Sequence, residues 1–443
     1  MKRLKSSKCM FFATLFALFA VPNYAQESTE TIAMTFEECL QYAKENSITL
    51  KQAQLSVDNS LANEQSARGS FLPNINASVG QSINATPIST TDSKFSYSGS
   101  YGIDLSLTLY NGGKNRAALK QSKVETEMAE KSLAQQENSI EMAVAEVFIQ
   151  MLYAMEQIDV AKKSLEISER SLEQGKAFLE VGSINLSEYA QLVSSKASSE
   201  YSVILAETTL SNLQVSLKQL LEISQDVRIE AITPTFADNL TTTPLSTVQD
   251  VYESALKLRP EIAYYELAIT SAEYDLKSAK SSYCPTLSFS AGTGLNHSSS
   301  SSYTFTDQMR NNFTTSAGLN LSIPIFNGYQ TKASVTRAQN VVNSTSLSLV
   351  DAQKDLYQTI ETLRNNAANA QAQYMVSEYK LEAVEESLKL VTEQYNVGMK
   401  NIIELLSEQD SYLESAQEYL TNKYQFILNK ALLEYYKTDL ITL

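Results

Sequence analysis

The stretch GIDLSLTLYNGG, Gly102 to Gly113, opens a proline-free run that closes on Val181-Gly182-Ser183, and the same plan occurs twice. Asn111-Gly112 falls on Asn327-Gly328 and Val181-Gly182 on Val397-Gly398, each displaced by 216 positions. Between these marks an apolar heptad stays in register: Val144, Met151, Ile158, Leu165, Leu172 and Leu179 match Ile360, Ala367, Tyr374, Leu381, Leu388 and Tyr395. A repeat on this scale decides the fold class, because a chain of 443 residues then reads as two copies of one unit of about 190 residues.

Each copy changes its hydrophobic period twice. Residues 36–69 read as a helix on Phe36, Leu40, Ala43, Leu50, Ala53, Val57 and Leu61, with Thr35 as its cap, and the counterpart is 248–282. After Pro73 and Pro285 the period becomes two, which predicts strands over 74–84 and 97–109 in the first copy and over 286–296 and 313–325 in the second. In the returning strand Tyr97, Tyr101, Ile103, Leu105, Leu107 and Leu109 share one face, and Ser98, Ser100, Gly102, Asp104, Ser106 and Thr108 the other. The heptads then predict helices over 112–180 and 328–396, roughly 100 Å long at 1.5 Å per residue, packed side by side as in coiled coils. Beyond the glycine turns, helices are expected over 186–222 and 402–440. The first repeat thus spans 26–223 and the second 248–443, with 224–247 as a linker.

The polar faces of these strands carry Ser, Thr, Asn and Gly with almost no charge, which suits a wet lumen better than bulk water. Strands of about ten residues cross a bilayer when tilted, and short turns opposite long polar loops are the asymmetry of an outer-membrane barrel. Four strands alone cannot close, and lipid tolerates no open edge, so several chains must share one barrel. Two chains would give eight strands and a filled interior, whereas three would give twelve and an aqueous lumen.

Residues 1–25 carry Lys2, Arg3, Lys5 and Lys8, then an apolar run to Val21 and Ala25, the order of a secretory signal peptide. Its removal would take four cations and no acids, moving the formal charge from −15 to −19, which argues against nucleic acid. Cys39 and Cys284 would remain, read as two free thiols at opposite ends of their helices. No 18-residue apolar window predicts a spanning helix. His297, the single histidine, falls in the serine-rich loop after the third strand, where a solvated residue is expected. No metal-ligand spacing, phosphate loop or nucleophile elbow is present, so no enzyme, cofactor or metal is expected.

Pro at each helix-to-strand junction, Asn-Gly at each strand-to-helix junction, Leu258-Arg259-Pro260-Glu261-Ile262 at the opening of the second copy and the two Val-Gly turns together resemble the TolC-like outer-membrane efflux and secretion channels. The resemblance covers the whole mature chain. It implies a mainly α protein with a membrane β-barrel portion, a homotrimer whose twelve-stranded barrel continues into a twelve-helix periplasmic tunnel. The implied partners are outer-membrane lipid, a periplasmic adaptor (membrane fusion) protein and an inner-membrane transporter. By position, Val181, Gly182, Ser183, Val397, Gly398 and Met399 look like the adaptor-contacting tip turns. Glu404 and Ser407 match the positions that ring the closed tunnel entrance in the family, and only the first is acidic here. The expected function is a passive exit duct of an efflux or type I secretion system, opened at its periplasmic tip. The alternative is a membrane-anchored coiled-coil rod without transport.

Overall fold

The computed structural model describes residues 30–85, 95–224, 226–234 and 244–441. The expected signal peptide and the middle of the first inter-strand loop lie outside the described residues. The elements are β1 (Glu30–Met34), α1 (Phe36–Asn46), α2 (Ile48–Gly69), β2 (Asn74–Ala85), β3 (Phe95–Asn111), α3 (Lys114–Glu180), α4 (Leu186–Leu221) and β4 (Val227–Ala231). The second half adds α5 (Val248–Leu258), α6 (Pro260–Ser281), β5 (Thr286–Ser298), α7 (Phe305–Asn311), β6 (Thr314–Ser322), α8 (Gln330–Asn396) and α9 (Ile402–Thr438). Helix dominates, and α3 and α8 have the same length, 67 residues.

The predicted single helix over 36–69 is two. Ser47 (φ −51°, ψ 124°) ends α1 and caps α2, its hydroxyl accepting from the Leu50 N–H at 3.3 Å. A serine oxygen that satisfies an orphan helix N–H makes such a break cheap. The helix predicted over 248–282 also breaks, at the equivalent Arg259-Pro260. Proline cannot donate to the preceding turn and drives Arg259 out of the helical region, to φ −72° and ψ 122°. Helices α3 and α8 start two residues later than predicted, because Gly112 and Gly113 in one copy, and Gly328 and Tyr329 in the other, all have positive φ.

The strands form one antiparallel sheet in the order β2-β3-β5-β6, so the two hairpins join through β3 and β5. Apolar residues meet across each pair, Ile75 with Leu105, Leu107 with Phe289 and Phe289 with Leu319. The register shifts between Thr108 and Tyr110, so Tyr110 and not Leu109 pairs with Leu287, and the predicted alternation fails at the end of β3. The last strand stops at Ser322, short of the predicted 325, where Pro324 has no N–H for a ladder.

The linker is not a bare connection. Within it β4 pairs in parallel with β1, Glu30 with Val227 through Met34 with Ala231, and Ile229 is fully buried. Five-residue strands among polar neighbours give a weak period-two signal, which is why the sequence reading missed both. This pair packs with Phe36, Cys39, Phe148, Leu152, Leu221 and Tyr435 in the largest apolar core, where α1, α3, α4 and α9 converge. Burial pushes the Cys39 thiol up to about 12, with the Glu38 charge adding to it, and both Cys39 and Cys284 are free.

His297 is the clearest correction. It is 8% exposed, inside β5 opposite Gly99, stacked on Tyr101 and against Tyr97 and Phe305. A β-carbon on Gly99 would stand 2.7 Å from His297 Nδ1, so the absence of a side chain there makes the room. The predicted loop is itself folded: Gln308 of α7 accepts from the Ser298 N–H at 2.7 Å and donates to the Ser298 and Tyr303 carbonyls. Such backbone clamping replaces the solvation that a serine-rich loop would otherwise need.

Candidate functional site

Two hairpin turns of the same build sit at one end of the long helices. At the end of α3 the Gly182 N–H donates to Leu179 O (3.1 Å) and the Ser183 N–H to Phe178 O (2.8 Å). At the end of α8 the Gly398 N–H donates to Tyr395 O (3.0 Å) and the Met399 N–H to Gln394 O (2.8 Å). These paired bonds are the Schellman closure, which needs a left-handed residue at the turn, and Gly182 (φ +73°) and Gly398 (φ +76°) supply it. Each return helix then starts on an asparagine: Asn185 Oδ1 accepts from the Glu188 N–H and Asn401 Oδ1 from the Glu404 N–H, both at 3.0 Å. The glutamates reach back to the asparagine N–H groups at 2.8 and 3.1 Å, a reciprocal box that fixes the angle of each turn.

Behind the turns lies a small apolar knot of Leu192, Tyr395, Ile402 and Leu405, with Leu172, Phe178 and Ile184 against it. In front, Val181, Val397 and Met399 are 71–75% exposed. The glycine-closed turns thus leave valine and methionine side chains in solvent at this end of the helices. Leu192 drives into the space over Gly175, where a β-carbon would collide with it. The buried line on this half of α3 is Ala161, Ser164, Ser168, Ser171 and Gly175, while the predicted seam residues Leu165, Leu172 and Leu179 are only half-buried. Small residues at alternating three- and four-residue spacing let α3 approach its neighbours closely, and a search for large apolar side chains passes over them.

Of the pore candidates, Glu404 is the third residue of α9, closing the second capping box, and pairs with Lys400 one turn back, while Ser407 is exposed on the next turn. The Lys400 ammonium first, and the Asn401 N–H second, hold the Glu404 carboxyl below its ordinary value. The asparagine-to-glutamate spacing and the Lys400–Glu404 spacing were both readable in sequence. The ties that cross between repeats were not. Lys423 Nζ and the Tyr424 hydroxyl donate to Glu156 Oε1 at 2.7 and 2.8 Å, Lys163 reaches Glu385 at 2.8 Å, and Gln409 Nε2 donates to Ser171 Oγ at 2.8 Å. They bind α9 and α8 of the second copy to α3 of the first. Among the described residues no group of His, Cys, Asp or Glu could hold a metal ion.

Residues 39–221 and 251–434 match the family model described as outer membrane efflux protein, one match per repeat. Among curated proteins, the chain is 21% identical over 416 residues to the outer membrane protein TolC of Vibrio cholerae serotype O1, covering 94% of this chain and 93% of that one. It is 23% identical to the outer membrane efflux protein BepC of Brucella suis biovar 1, over 86% of this chain and 80% of that one. Among solved structures, the transmembrane channel CusC superposes with a TM-score of 0.78 at 18% identity, over 90% of this chain and 91% of that one.

Proposed function

The chain belongs to the outer membrane efflux protein family, and on that premise we propose that three copies close into one exit channel. The protein is an outer-membrane exit channel of the kind used by tripartite efflux and secretion systems, and such systems supply an adaptor and an inner-membrane pump. What supports the closure is the sheet. Strands β2 and β6 are exposed along their whole length and each offers one unpaired edge among the described residues. In an antiparallel order of four, β2 and β6 run in opposite directions, so β6 of one copy can pair with β2 of the next without changing the ladder type. An open edge in lipid would cost several kcal/mol for each unpaired group. Three copies bring twelve strands and a lumen wide enough for water, and they set the apolar face with Ile75, Val79 and Leu319 toward lipid.

At the far end, Val181, Gly182, Ser183, Val397, Gly398 and Met399 of each copy would meet the adaptor, because their exposed apolar side chains stand on turns too rigid to fold inward. Glu404, with Ser407 one turn on, would line the entrance. The mass of the detergent-purified protein by sedimentation, corrected for bound detergent, tests this reading. Three chains support it; a stable monomer with open strand edges sinks it and favours the non-conducting rod.

A further inference from the structure

Asp104 is the single formal charge on the four-stranded sheet. Strands β2, β3, β5 and β6 contain no Lys, Arg or Glu, and their single histidine, His297, is on the opposite face with Tyr97 and Tyr101. Asp104 lies near the middle of β3, between Asn76 of β2 and Gly292 of β5. Its carboxylate leans over Gly292, where a β-carbon would stand 2.7 Å from Oδ1. Among the described residues it has no ion pair and no side-chain hydrogen bond, and it is exposed. A carboxylate left bare at mid-strand belongs in water, because on the lipid face at the midplane a charge is destabilising. The ladder around it keeps that water close: Gly102 and Gly292 leave nothing to cover the oxygens.

We propose that Asp104 sets the charge preference of the barrel, three copies forming a carboxylate ring that draws cationic cargo and repels anions. This rests on the trimer proposed above. Rings of one charge sign are how wide pores select by charge without tight binding. The ring is independent of Glu404, since α3 alone separates the two by roughly 100 Å and charges are screened over about 10 Å at 0.1 M salt.

The test is the reversal potential of single channels in planar bilayers under a KCl gradient, for the wild type, Asp104→Asn and Asp104→Ser. A Glu404→Ala background removes the tip carboxylate as a source of selectivity. Either substitution is expected to lower the K⁺/Cl⁻ permeability ratio by about two-fold or more between 0.01 and 0.1 M and to have little effect at 1 M, where screening falls to about 3 Å. An unchanged ratio at low salt, in variants that sediment as trimers and conduct, overturns the proposal. Loss that persists equally at 1 M also overturns it, since it marks a change of barrel shape. A wild-type mass of one chain instead removes the trimer itself, so the two failures are told apart.

Discussion

Phe178 and Tyr395, one from each repeat, meet edge to face with ring centroids 5.8 Å apart, where the four helices of the tip converge. The contact is a seam between the copies, and it carries a defect. The Tyr395 hydroxyl is buried without a hydrogen-bond partner, and burial, with the Glu188 charge second, raises its pKa. Removing an unsatisfied buried hydroxyl while keeping the ring is expected to stabilise, so Tyr395→Phe should gain about 1 kcal/mol. Tyr395→Ala should lose about 3 kcal/mol, because a large ring leaves a cavity. Denaturant midpoints of the solubilised protein read both, and a loss on Tyr395→Phe would mean that the hydroxyl has a partner.

Arg259 stands where the second repeat begins and is 2% exposed. Its Nη2 donates to Tyr435 O at 2.7 Å, Nη1 lies 3.5 Å from Asp439, and the guanidinium covers the rings of Tyr435 and Tyr436 at 4.2 and 4.3 Å. It therefore ties the break before Pro260 to the end of α9. A lysine has neither the plane to stack on two rings nor the fork to reach both partners. Arg259→Lys and Arg259→Ala should each cost about 3 kcal/mol, the lower end for disrupting a buried charge network. Equal midpoints for Arg259→Lys and the wild type would show that charge alone suffices.

These two sites mark what a sequence can and cannot display. Neither helix break was read from the sequence: the apolar period runs on through Pro260, although a proline's restriction is local, and through Ser47, a residue equally at home inside a helix. The hairpins were legible because alternation fixes which face each residue takes, and the bulge at Leu109 was not, since one extra residue depends on the partner strand. The glycine turns at Gly182 and Gly398 stood out as punctuation. Phe178 against Tyr395 did not, because contacts between repeats are set by packing over hundreds of residues of separation. His297 reads as loop from its serine neighbours, and only Gly99 on another strand explains its burial.

Alkaline pH should loosen the helical body. The hydroxyls of Tyr419, Tyr424 and Tyr435 are held above the ordinary phenol value, chiefly by burial, with Tyr374, Glu156 and Glu141 as the respective next causes. An unfolded chain releases these protons near pH 10, while the folded one retains them. The unfolded state then binds fewer protons, so stability is full below about pH 10 and falls as pH rises beyond it. Melting followed at pH 8 and pH 11, with phenolate absorbance recorded alongside, should show a lower midpoint at pH 11 and a set of tyrosines that ionise only on unfolding. Complete ionisation at pH 11 in a protein that is still folded would contradict this.

Glu404 bears on the gate through its pairing with Lys400. In the proposed trimer, three carboxylates at the entrance would be accompanied by three ammonium groups one turn away, so the ring is close to neutral overall. Both side chains are more than a third exposed, which leaves the pair open to screening. Lys400→Ala should therefore strengthen cation preference at 0.1 M salt, Glu404→Ala should weaken it, and both differences should shrink at 1 M. Because Lys400 and the Asn401 N–H depress the Glu404 pKa, the carboxylate stays charged to lower pH than an ordinary glutamate and the preference should persist there. In Lys400→Ala the main cause of that depression is gone, so the loss of preference on acidification should move to higher pH. Reversal potentials recorded between pH 3 and pH 7 separate the two variants. If Glu404→Ala conducts as the wild type does, with the same cation preference, then Glu404 is a helix-capping residue and the entrance is formed elsewhere.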